Sequence, residues 1–484
     1  MKDGRDIKHK ADDTGIIKPY EKICCIGMEG TMLYLKNGCL IDPASGTEGY
    51  RDLLIRDDRI VRIAPRGTLE EEIALIQGRP EAASEAAESG ADAGGGGNVC
   101  AGEKVEVIDL YGQCIAPGLV DVHVHFRDPG FTCKEDIETG AKAAARGGFT
   151  TVVLMANTKP AVDNEETLAY VLNKGRETDI HIHTCANVTK GLQGKELTDM
   201  EALSESGAAG FTDDGIPLMD EKLLRAALHR AAECGKPVSL HEENPLLITN
   251  NGINAGKAAE HYGIGGSPRE AEISMVERDL KIAVTEKADL SIQHISTKEA
   301  VELVRQAKKK SSHIYAEAAP HHFTLTEEAV IRHGTLAKMN PPLRGEEDRL
   351  AVIEGLKDGT IDMIATDHAP HTAEEKAKPI TEAPSGIIGL ETSLSLGIRE
   401  LVNKGYLTML ELIEKMSYAP AKLYHLDAGY LAEGGPADLV IFDPTQEWKV
   451  ENFASKSANS PFIGEKLPGV VHYTICNGRI VYRG

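Results

Sequence analysis

One arrangement recurs along the middle of this chain: a short apolar run ends in polar, amide or metal-ligand residues, and a segment with helical periodicity follows. Such runs occur at residues 115–125, 149–157, 180–184, 208–214, 237–241, 290–294, 314–322 and 362–368. Helix-period segments such as 221–233 and 269–287 separate them. Strands that alternate with helices form a parallel sheet, and eight units over about 250 residues predict an α/β fold, the (β/α)8 barrel. In that fold the active site lies at the carboxyl ends of the strands, where the polar residues fall here.

Outside this region, both ends of the chain show β patterns. Strand-like runs occur at 32–35, 53–56, 59–64 and 105–109, and again at 437–443, 470–476 and 479–482. The pair Asn477-Gly478 between the last two runs is a hairpin signal. We therefore predict a small β-sandwich domain built from residues 31–114 and 427–484, beside a barrel formed by residues 115–426.

Two segments have little apolar surface to bury. Residues 1–30 are polar, carry mixed charge and show no period, which predicts a flexible N-terminal tail. From about residue 70 to residue 103 the chain becomes rich in Ala, Glu and Gly. Such a composition cannot offset the entropy of ordering the backbone, so we predict a flexible low-complexity insertion there.

The charge and the cysteine content exclude several classes of function. The formal net charge of -22 argues against nucleic acid and anionic membrane as partners, because both bind net basic faces. The 9 cysteines are irregularly spaced and form no Cys-x-x-Cys pair, which is typical of free thiols in a reducing compartment. No apolar run reaches the roughly 18 residues that a membrane helix needs. We predict a cytoplasmic protein that acts on a small molecule.

Candidate metal ligands gather at the predicted strand ends. His123 and His125 are two residues apart at the end of the first strand, so their imidazoles point to the same face. A catalytic zinc takes at least three protein ligands, so the others must come from other strands. The remaining strand ends offer Asp213 or Asp214, His241, His294 and Asp367. Together these residues are enough for two metal ions that share a bridging ligand.

These residues resemble the motifs of a known family. The run Asp121-Val122-His123-Val124-His125, the residues His241 and His294, and Thr366-Asp367-His368-Ala369-Pro370-His371 are similar to those of the amidohydrolase superfamily. The following motifs narrow the resemblance to the type I dihydroorotases: Phe126-Arg127-Asp128-Pro129-Gly130, Met155-Ala156-Asn157-Thr158, Thr212-Asp213-Asp214-Gly215 and Met339-Asn340-Pro341-Pro342-Leu343-Arg344. The resemblance covers residues 31–68 and 104–484.

The fourth strand distinguishes branches of this superfamily. Many members that bind two metals bridge them with a carboxylated lysine on that strand, but residues 208–215 contain no lysine. Type I dihydroorotases resemble this chain in having an aspartate there. Matching the family motif assigns the bridge to Asp214, just before Gly215, and leaves Asp213 as the alternative.

The resemblance implies a dihydroorotase with two Zn²⁺ ions per chain. The implied reaction is the reversible hydrolysis of (S)-dihydroorotate to N-carbamoyl-L-aspartate, whose reverse closes the ring in de novo pyrimidine biosynthesis. The implied metal ligands are His123, His125, Asp214, His241, His294 and Asp367. Asp367 is also the implied catalytic residue, which moves a proton between the attacking water and the departing amide nitrogen.

The resemblance also implies how the substrate is held and which proteins associate with the enzyme. The implied substrate contacts are His125, Arg127, Asn157, Asn340, His371, Ser385 and Gly386. Of these, the Arg127 guanidinium would hold the substrate carboxylate through a charge-assisted pair of hydrogen bonds. A homo-oligomer and an association with aspartate carbamoyltransferase are the implied partners.

Other ionisable residues favour structural roles. The pair His321-His322 ends the seventh strand, where packing or hydrogen bonding is favoured over metal ligation. His181 and His183 alternate on the third strand as the metal histidines do, but no companion acid follows them. Asp121 is expected to orient a histidine rather than bind metal. The pair Glu242-Glu243 is expected to be solvated or to brace a loop.

Two rival functions remain open. Another cyclic amidase, such as an allantoinase or a dihydropyrimidinase, would share the metals but would not need a group that holds a carboxylate. Arg127 and the aspartate on the fourth strand argue against it. Some dihydroorotase-like chains have lost ligands and only scaffold a carbamoyltransferase, but every ligand position is filled here.

Overall fold

The computed structural model describes residues 32–78 and 104–484, so the predicted tail at residues 1–30 lies outside the described residues. Its strands are β1 (Met32–Asp42), β2 (Thr47–Arg56), β3 (Arg59–Pro65), β4 (Val105–Asp109), β5 (Cys114–Pro117), β6 (Leu119–Val124), β7 (Phe149–Leu154), β8 (His181–Thr184), β9 (Val238–Leu240), β10 (Leu290–Ile292), β11 (Ile314–Ala318), β12 (Met363–Ile364), β13 (Leu439–Lys449), β14 (Lys466–Cys476) and β15 (Arg479–Arg483).

The helices fall mainly between the barrel strands. They are α1 (Glu70–Ile76), α2 (Ile137–Arg146), α3 (Glu165–Gly175), α4 (Met200–Glu205), α5 (Glu221–Glu233), α6 (Lys257–Tyr262), α7 (Arg269–Glu286), α8 (Lys298–Lys308), α9 (Pro320–Thr324), α10 (Glu328–His333), α11 (Glu346–Lys357), α12 (Ala373–Lys376), α13 (Ser393–Gly397), α14 (Met409–Ile413) and α15 (Ala419–Leu423). Turns of π-helix occupy 398–402 and 414–418, and 3-10 turns occupy 190–192, 245–247 and 334–337. Within the described ranges, no helix has both the length and the apolar composition needed to cross a membrane.

Strands β6 to β12 form the wall of the barrel. β6, β7 and β8 pair in parallel, and so do β9, β10, β11 and β12. Parallel bridges from Phe211 to Ala186 and to Val238 join the two groups. A further bridge from Val124 to His368 closes the circle. The barrel predicted from the sequence is thus confirmed, and its strand ends meet at one face.

The fourth and eighth strands are shorter than predicted. Of the predicted run 208–214, only Phe211 makes bridges to both neighbours. The chain leaves the wall directly afterwards because the carbonyl of Thr212 accepts a hydrogen bond from the Asn187 side chain instead of a neighbouring strand. The run 362–368 likewise keeps only β12 as a strand. Asp214 and Asp367, which lie near the ends of these two predicted runs, are therefore on loops.

The two ends of the chain meet in one sheet of eight strands. Its order is β15-β14-β13-β5-β1-β2-β3, and β4 pairs in parallel with β1. β5 lies between β1, from the N-terminal part, and β13, from the C-terminal part. Asn477 and Gly478 take the positive φ angles of 51° and 69° that the predicted hairpin requires. The β-rich domain predicted from both chain ends is confirmed.

The predicted strand that runs without a break from Ile115 to Val120 is wrong. Residues Cys114–Pro117 form β5 in the terminal sheet, and the barrel begins with β6 at Leu119. Gly118 lies between the two strands and lets the chain pass close to β7, because a Cβ atom there would lie 2.0 Å from the Thr150 hydroxyl oxygen. The boundary between the domains therefore lies at Gly118 rather than at residue 115.

The predicted insertion needs a correction at its beginning. Residues 70–76 form α1, and Ile73 and Ile76 pack against Met32 and Tyr34 in a small apolar cluster. Three glutamates in the first turn suit the positive end of the helix dipole. Apolar residues at a spacing of three and four were present, but the biased composition around them obscured the pattern. Residues 79–103 lie outside the described residues.

Candidate metal centre

Two histidines and two carboxylates converge where β6 ends. Asp214 oxygens lie 3.6 Å from His123 Nε2 and 3.5 Å from His125 Nε2. The Asp367 Oδ1 atom lies 3.5 Å from His123 Nε2 and 3.0 Å from His125 Nε2. All of these side chains are buried. Burial opposes ionisation of Asp214, but the adjacent histidines outweigh it and lower its pKa.

His241 and His294 complete the cluster. Their Nδ1 and Nε2 atoms lie 3.0 Å apart, in a buried position where they can share only one proton. His123 Nε2 and His294 Nδ1 are buried and have no hydrogen-bond partner among the described residues. Buried polar atoms without partners are uncommon, and imidazole nitrogens with carboxylate oxygens are the donor set that suits Zn²⁺. The residues present therefore fit a metal centre.

Possible ligand atoms lie within 4.8 Å of one another in three overlapping sets. These are His123, His125 and Asp214; His123, His294 and Asp367; and Asp214, His241 and His294. Because His123, His294 and Asp214 each belong to two sets, the six predicted ligands form one centre rather than separate sites. The structure thus brings together every ligand predicted from the sequence.

The neighbours Asp213 and Asp214 face in different directions. Asp214 lies among the histidines and accepts a 2.8 Å hydrogen bond from Asn157 Nδ2. Asp213 accepts hydrogen bonds from the Thr189 backbone N–H at 3.1 Å and from Asn187 Nδ2 at 3.3 Å, and it also bonds the Thr189 hydroxyl. These bonds hold Asp213 away from the cluster. The geometry favours Asp214 over Asp213 as the ligand.

Backbone strain is concentrated at this site. His294, Asp367 and Arg127 adopt φ angles of 29°, 47° and 59°, in the left-handed region that side chains with a Cβ rarely occupy. Such residues persist only where the surrounding structure holds them, and they cluster at functional sites. Two predicted ligands and one predicted substrate contact share this property.

Two glutamates lie behind the histidines and orient them. Glu317 Oε1 lies 2.5 Å from His123 Nδ1, and Glu243 Oε2 lies 3.5 Å from His241 Nε2. A carboxylate on one ring nitrogen fixes the tautomer and directs the other nitrogen toward the metal. The sequence analysis missed Glu317, whose only signal was its place in the strand run 314–322. Of the two expectations for Glu242 and Glu243, solvation is wrong because both side chains are buried, whereas Glu243 braces a neighbouring loop by accepting a 2.7 Å hydrogen bond from the Ser267 hydroxyl.

Asp121 plays a different part from the one expected. Its carboxylate accepts backbone hydrogen bonds from His123 at 3.1 Å and from Thr366 at 3.1 Å. It therefore ties the strand of the metal histidines to the segment that precedes Asp367, while Glu317 orients the His123 ring. Burial raises the pKa of Asp121 to about 7.

Arg127 lies at the mouth of the barrel, close to the metal cluster. Its Nε atom donates a 3.4 Å hydrogen bond to the Pro370 carbonyl, and within the described residues it forms no ion pair. Asp128, the neighbour that could have braced it, instead accepts hydrogen bonds from the Tyr170 hydroxyl at 3.0 Å and from Lys174 Nζ at 2.5 Å. The Arg127 cation therefore remains available to an anionic group.

The other predicted substrate contacts line the same mouth. Asn157 Oδ1 lies 3.1 Å from His125 Nδ1, and Asn340 Nδ2 lies 3.2 Å from His241 Nε2. His371 Nε2 donates a 2.9 Å hydrogen bond to the Ser385 carbonyl. Burial, followed by Arg127 and Lys134, lowers the pKa of His371 to about 3, so the ring is neutral near pH 7.

The loop that contains Ser385 and Gly386 is held by two buried lysines. Lys376 Nζ donates to the carbonyls of Pro384 at 2.9 Å and Gly386 at 3.0 Å. Lys338 Nζ donates at 2.7 Å to the carbonyls of Ile380 and Ala383. Sequence reasoning missed both lysines, since nothing in the local sequence indicates that a lysine is buried, even though Lys338 directly precedes the motif at 339–344. They fix the loop across the opening of the barrel.

Two other histidine pairs lie outside the metal cluster. His322 Nε2 donates a 2.9 Å hydrogen bond to the Pro341 carbonyl, and the His321 ring packs against it with 4.4 Å between centroids. His181 lies at the opposite end of the barrel, where its Nε2 atom lies 2.9 Å from Asp438 Oδ2. The acid beside His181 comes from the terminal sheet, 257 positions away along the chain, so the local sequence could not show it.

Known proteins share the sequence of this chain over most of its length. The family model "Amidohydrolase family" matches residues 114–481. A dihydroorotase of Clostridioides difficile (strain 630) is 53% identical over 451 residues, which are 93% of this chain and 100% of that protein. A dihydroorotase of Clostridium acetobutylicum is 48% identical over 453 residues, 93% of this chain and 99% of that protein.

Solved structures share the fold at lower identity. The L-hydantoinase (dihydropyrimidinase) of Arthrobacter aurescens superposes with a TM-score of 0.77 at 25% identity, covering 93% of this chain and 96% of its own. The dihydropyrimidinase of Brevibacillus agri gives a TM-score of 0.75 at 22% identity, covering 94% and 95%. The similarity to the Brevibacillus agri structure shows the barrel with its terminal β domain, but it does not distinguish among substrates.

Proposed function

The chain belongs to the amidohydrolase family, and from that premise we propose that it is a dihydroorotase. It catalyses the reversible hydrolysis of (S)-dihydroorotate to N-carbamoyl-L-aspartate. The reverse reaction closes the ring in de novo pyrimidine biosynthesis. Near-complete coverage of dihydroorotases at 48% to 53% identity supports this activity. The observation that carries it is the Arg127 guanidinium, which has no carboxylate partner among the described residues and lies beside the metal ligands.

We propose that the centre holds two Zn²⁺ ions. The ligands are His123, His125, Asp214, His241, His294 and Asp367. Asp214 would be the shared ligand, because it belongs both to the set with His123 and His125 and to the set with His241 and His294. When bound, the ions make a water nucleophilic near neutral pH and polarise the scissile carbonyl.

The side chains around the centre bind the ring and move the proton. Asp367 Oδ1 faces the cluster and accepts the proton of the attacking water, which it then donates to the departing amide nitrogen. Arg127 binds the substrate carboxylate, assisted by Asn157 and His371. Asn340 and the backbone at Ser385-Gly386 contact the amide groups of the ring.

A second candidate is hydrolysis of an uncharged cyclic amide, which the superposition with hydantoinases favours. Turnover of dihydroorotate, dihydrouracil and hydantoin by one purified sample of known metal content decides between them. We expect a kcat/KM for dihydroorotate that exceeds the other two by at least about tenfold, since a hydrogen bond to a charged group contributes about 1.5–3 kcal/mol. A preference for dihydrouracil or hydantoin would overturn the proposal.

The proposal also covers where the protein acts and which proteins it binds. The resemblance predicts that the protein is cytoplasmic, that it forms a homo-oligomer and that it associates with aspartate carbamoyltransferase. Light scattering of the purified chain, alone and mixed with the carbamoyltransferase of the same organism, tests both associations. A monomeric mass in both samples would contradict them.

A further inference from the structure

A second cluster of metal-ligand side chains lies at the amino-terminal face of the barrel. His181 begins β8, Asp438 directly precedes β13, and Cys476 ends β14. One ligand atom from each lies within 4.8 Å of the other two. The cluster therefore joins a barrel strand to two elements of the terminal sheet, at the end opposite the catalytic centre.

The surroundings of the cluster suit a bound cation. Asp438 Oδ2 lies 2.9 Å from His181 Nε2, and Asp438 Oδ1 accepts a 2.7 Å hydrogen bond from the Asn477 backbone N–H. Asp438 and Cys476 are buried, whereas the His181 side chain is 35% exposed. A cavity of about 200 Å³ opens onto His181 and Asp438 from solvent. An ion can enter through this cavity, and a water molecule in it can occupy the fourth ligand position.

We propose that His181, Asp438 and Cys476 bind one thiophilic divalent ion of the zinc class, which ties the barrel to the terminal β domain. Nitrogen, carboxylate oxygen and thiolate sulfur form a donor set that selects zinc over magnesium or calcium. The thiol gives up its proton to solvent as the metal–sulfur bond forms, so no oxidant or reductant is needed. The site is independent of the dihydroorotase reaction.

Cobalt substitution tests the site without relying on activity. A thiolate bound to Co²⁺ gives a charge-transfer band in the near ultraviolet, whereas the catalytic centre proposed above contains only nitrogen and oxygen ligands. The full-length protein is stripped with a chelator and titrated with Co²⁺. We expect this band in the wild type, its loss in Cys476→Ser and its weakening in His181→Gln. The matched control Cys234→Ser alters a half-buried thiol elsewhere and retains the band.

Thermal unfolding gives a second measurement. A bound ion stabilises the folded state by mass action, so Co²⁺ raises the Tm of the wild type more than that of His181→Gln. Should Cys476→Ser fail to fold, His181→Gln decides, because the exposed histidine can be replaced without disturbing the core. The proposal is overturned if the wild type shows no thiolate band at saturating Co²⁺. A band of equal intensity in His181→Gln would also overturn it, since a simple His181–Asp438 ion pair would then account for the contact.

Discussion

At the level of single side chains, Asp213 and Asp214 form a matched pair of variants. Asp214→Asn removes a carboxylate that lies among three histidines, whereas Asp213→Asn changes one bonded to Thr189 and Asn187. Metal activation contributes several kcal/mol, so we expect Asp214→Asn to lose at least about 100-fold in kcat together with bound metal.

Metal analysis and turnover of both variants check this prediction. Asp213→Asn is expected to keep its metal and most of its turnover while it loses thermal stability. If the two variants exchange these effects, the ligand is Asp213 instead.

A variant of Arg127 distinguishes binding of the substrate carboxylate from catalysis in general. Replacement by methionine is expected to lower kcat/KM for dihydroorotate by about 10- to 150-fold, the equivalent of one charged hydrogen bond of about 1.5–3 kcal/mol. Any slow turnover of dihydrouracil should be unchanged, because that ring has no carboxylate. Equal losses on both substrates would instead assign Arg127 to the stability of its loop.

Glu317 is expected to act through His123. Glu317→Ala removes the carboxylate 2.5 Å from His123 Nδ1, and such changes weaken metal binding by about 10- to 100-fold. Glu317→Gln keeps an oxygen acceptor and should lose much less. Zinc titration against a competing chelator measures both. Equal affinity in the wild type and Glu317→Ala would show that the contact does not position the ligand.

The candidate ligands could be predicted from the sequence, whereas the side chains that orient them could not. The candidate metal ligands could be picked out because each follows an apolar run, and metal-ligand residue types are unexpected there. Glu317 lies inside a strand run, and its partner His123 is 194 positions away along the chain. Asp438 and His181 meet only because the terminal sheet docks on the barrel. Such pairings depend on tertiary packing that no local pattern records.

At the level of elements, the loop at residues 380–386 is held by the buried lysines Lys338 and Lys376. Burial lowers the pKa of Lys376 to about 7, well below that of an exposed lysine. Between that value and about pH 10.4 the unfolded chain therefore binds one more proton than the folded chain. The free energy of unfolding then rises with pH by up to about 1.4 kcal/mol per unit from this group, and the gain is absent below about pH 7.

Denaturant titrations of the wild type and Lys376→Met at pH 7 and pH 9 measure this contribution. The stability of the wild type relative to Lys376→Met should increase at the higher pH. The exposed lysine in Lys281→Met serves as the control and should show no such change. A difference between wild type and Lys376→Met that is constant with pH would contradict the lowered pKa.

Element boundaries were predicted best where the local sequence pattern, rather than tertiary contacts, determines where an element begins and ends. The helix predicted at 221–233 and the strand predicted at 105–109 have those bounds in the structure. The single predicted strand through residue 118 was wrong because its first half pairs with β1 and β13 and its second half pairs with β7, and the sequence does not show these partners. The fourth strand was overestimated because the Thr212 carbonyl accepts a hydrogen bond from the Asn187 side chain rather than from a neighbouring strand.

For the whole molecule, the barrel and the terminal domain should unfold together. Val440, Phe442 and Leu467 of the terminal sheet belong to the same apolar core as the barrel strands. The chain has 1 tryptophan, Trp448 on β13, and its Nε1 atom donates a 2.9 Å hydrogen bond to Ser395 beside the barrel. A shared apolar interface of this kind couples two domains into one cooperative unit.

Urea unfolding at saturating zinc tests this coupling. The emission of Trp448 and the far-ultraviolet circular dichroism should change with the same midpoint. Ser395→Ala is expected to lower that midpoint for both signals, by the equivalent of about 1 kcal/mol. An earlier change in the tryptophan emission would show that the terminal domain detaches first.

The position of β5 has a consequence for synthesis of the protein on the ribosome. β5 has β1 on one side, but its other neighbour, β13, begins only at Leu439. The nascent chain must therefore build the entire barrel while one edge of an early strand has no partner. Unpaired edges invite association with other chains. A product terminated within the barrel would keep that open edge, so such a product would be prone to aggregation or to binding by chaperones until β13 could cover the edge.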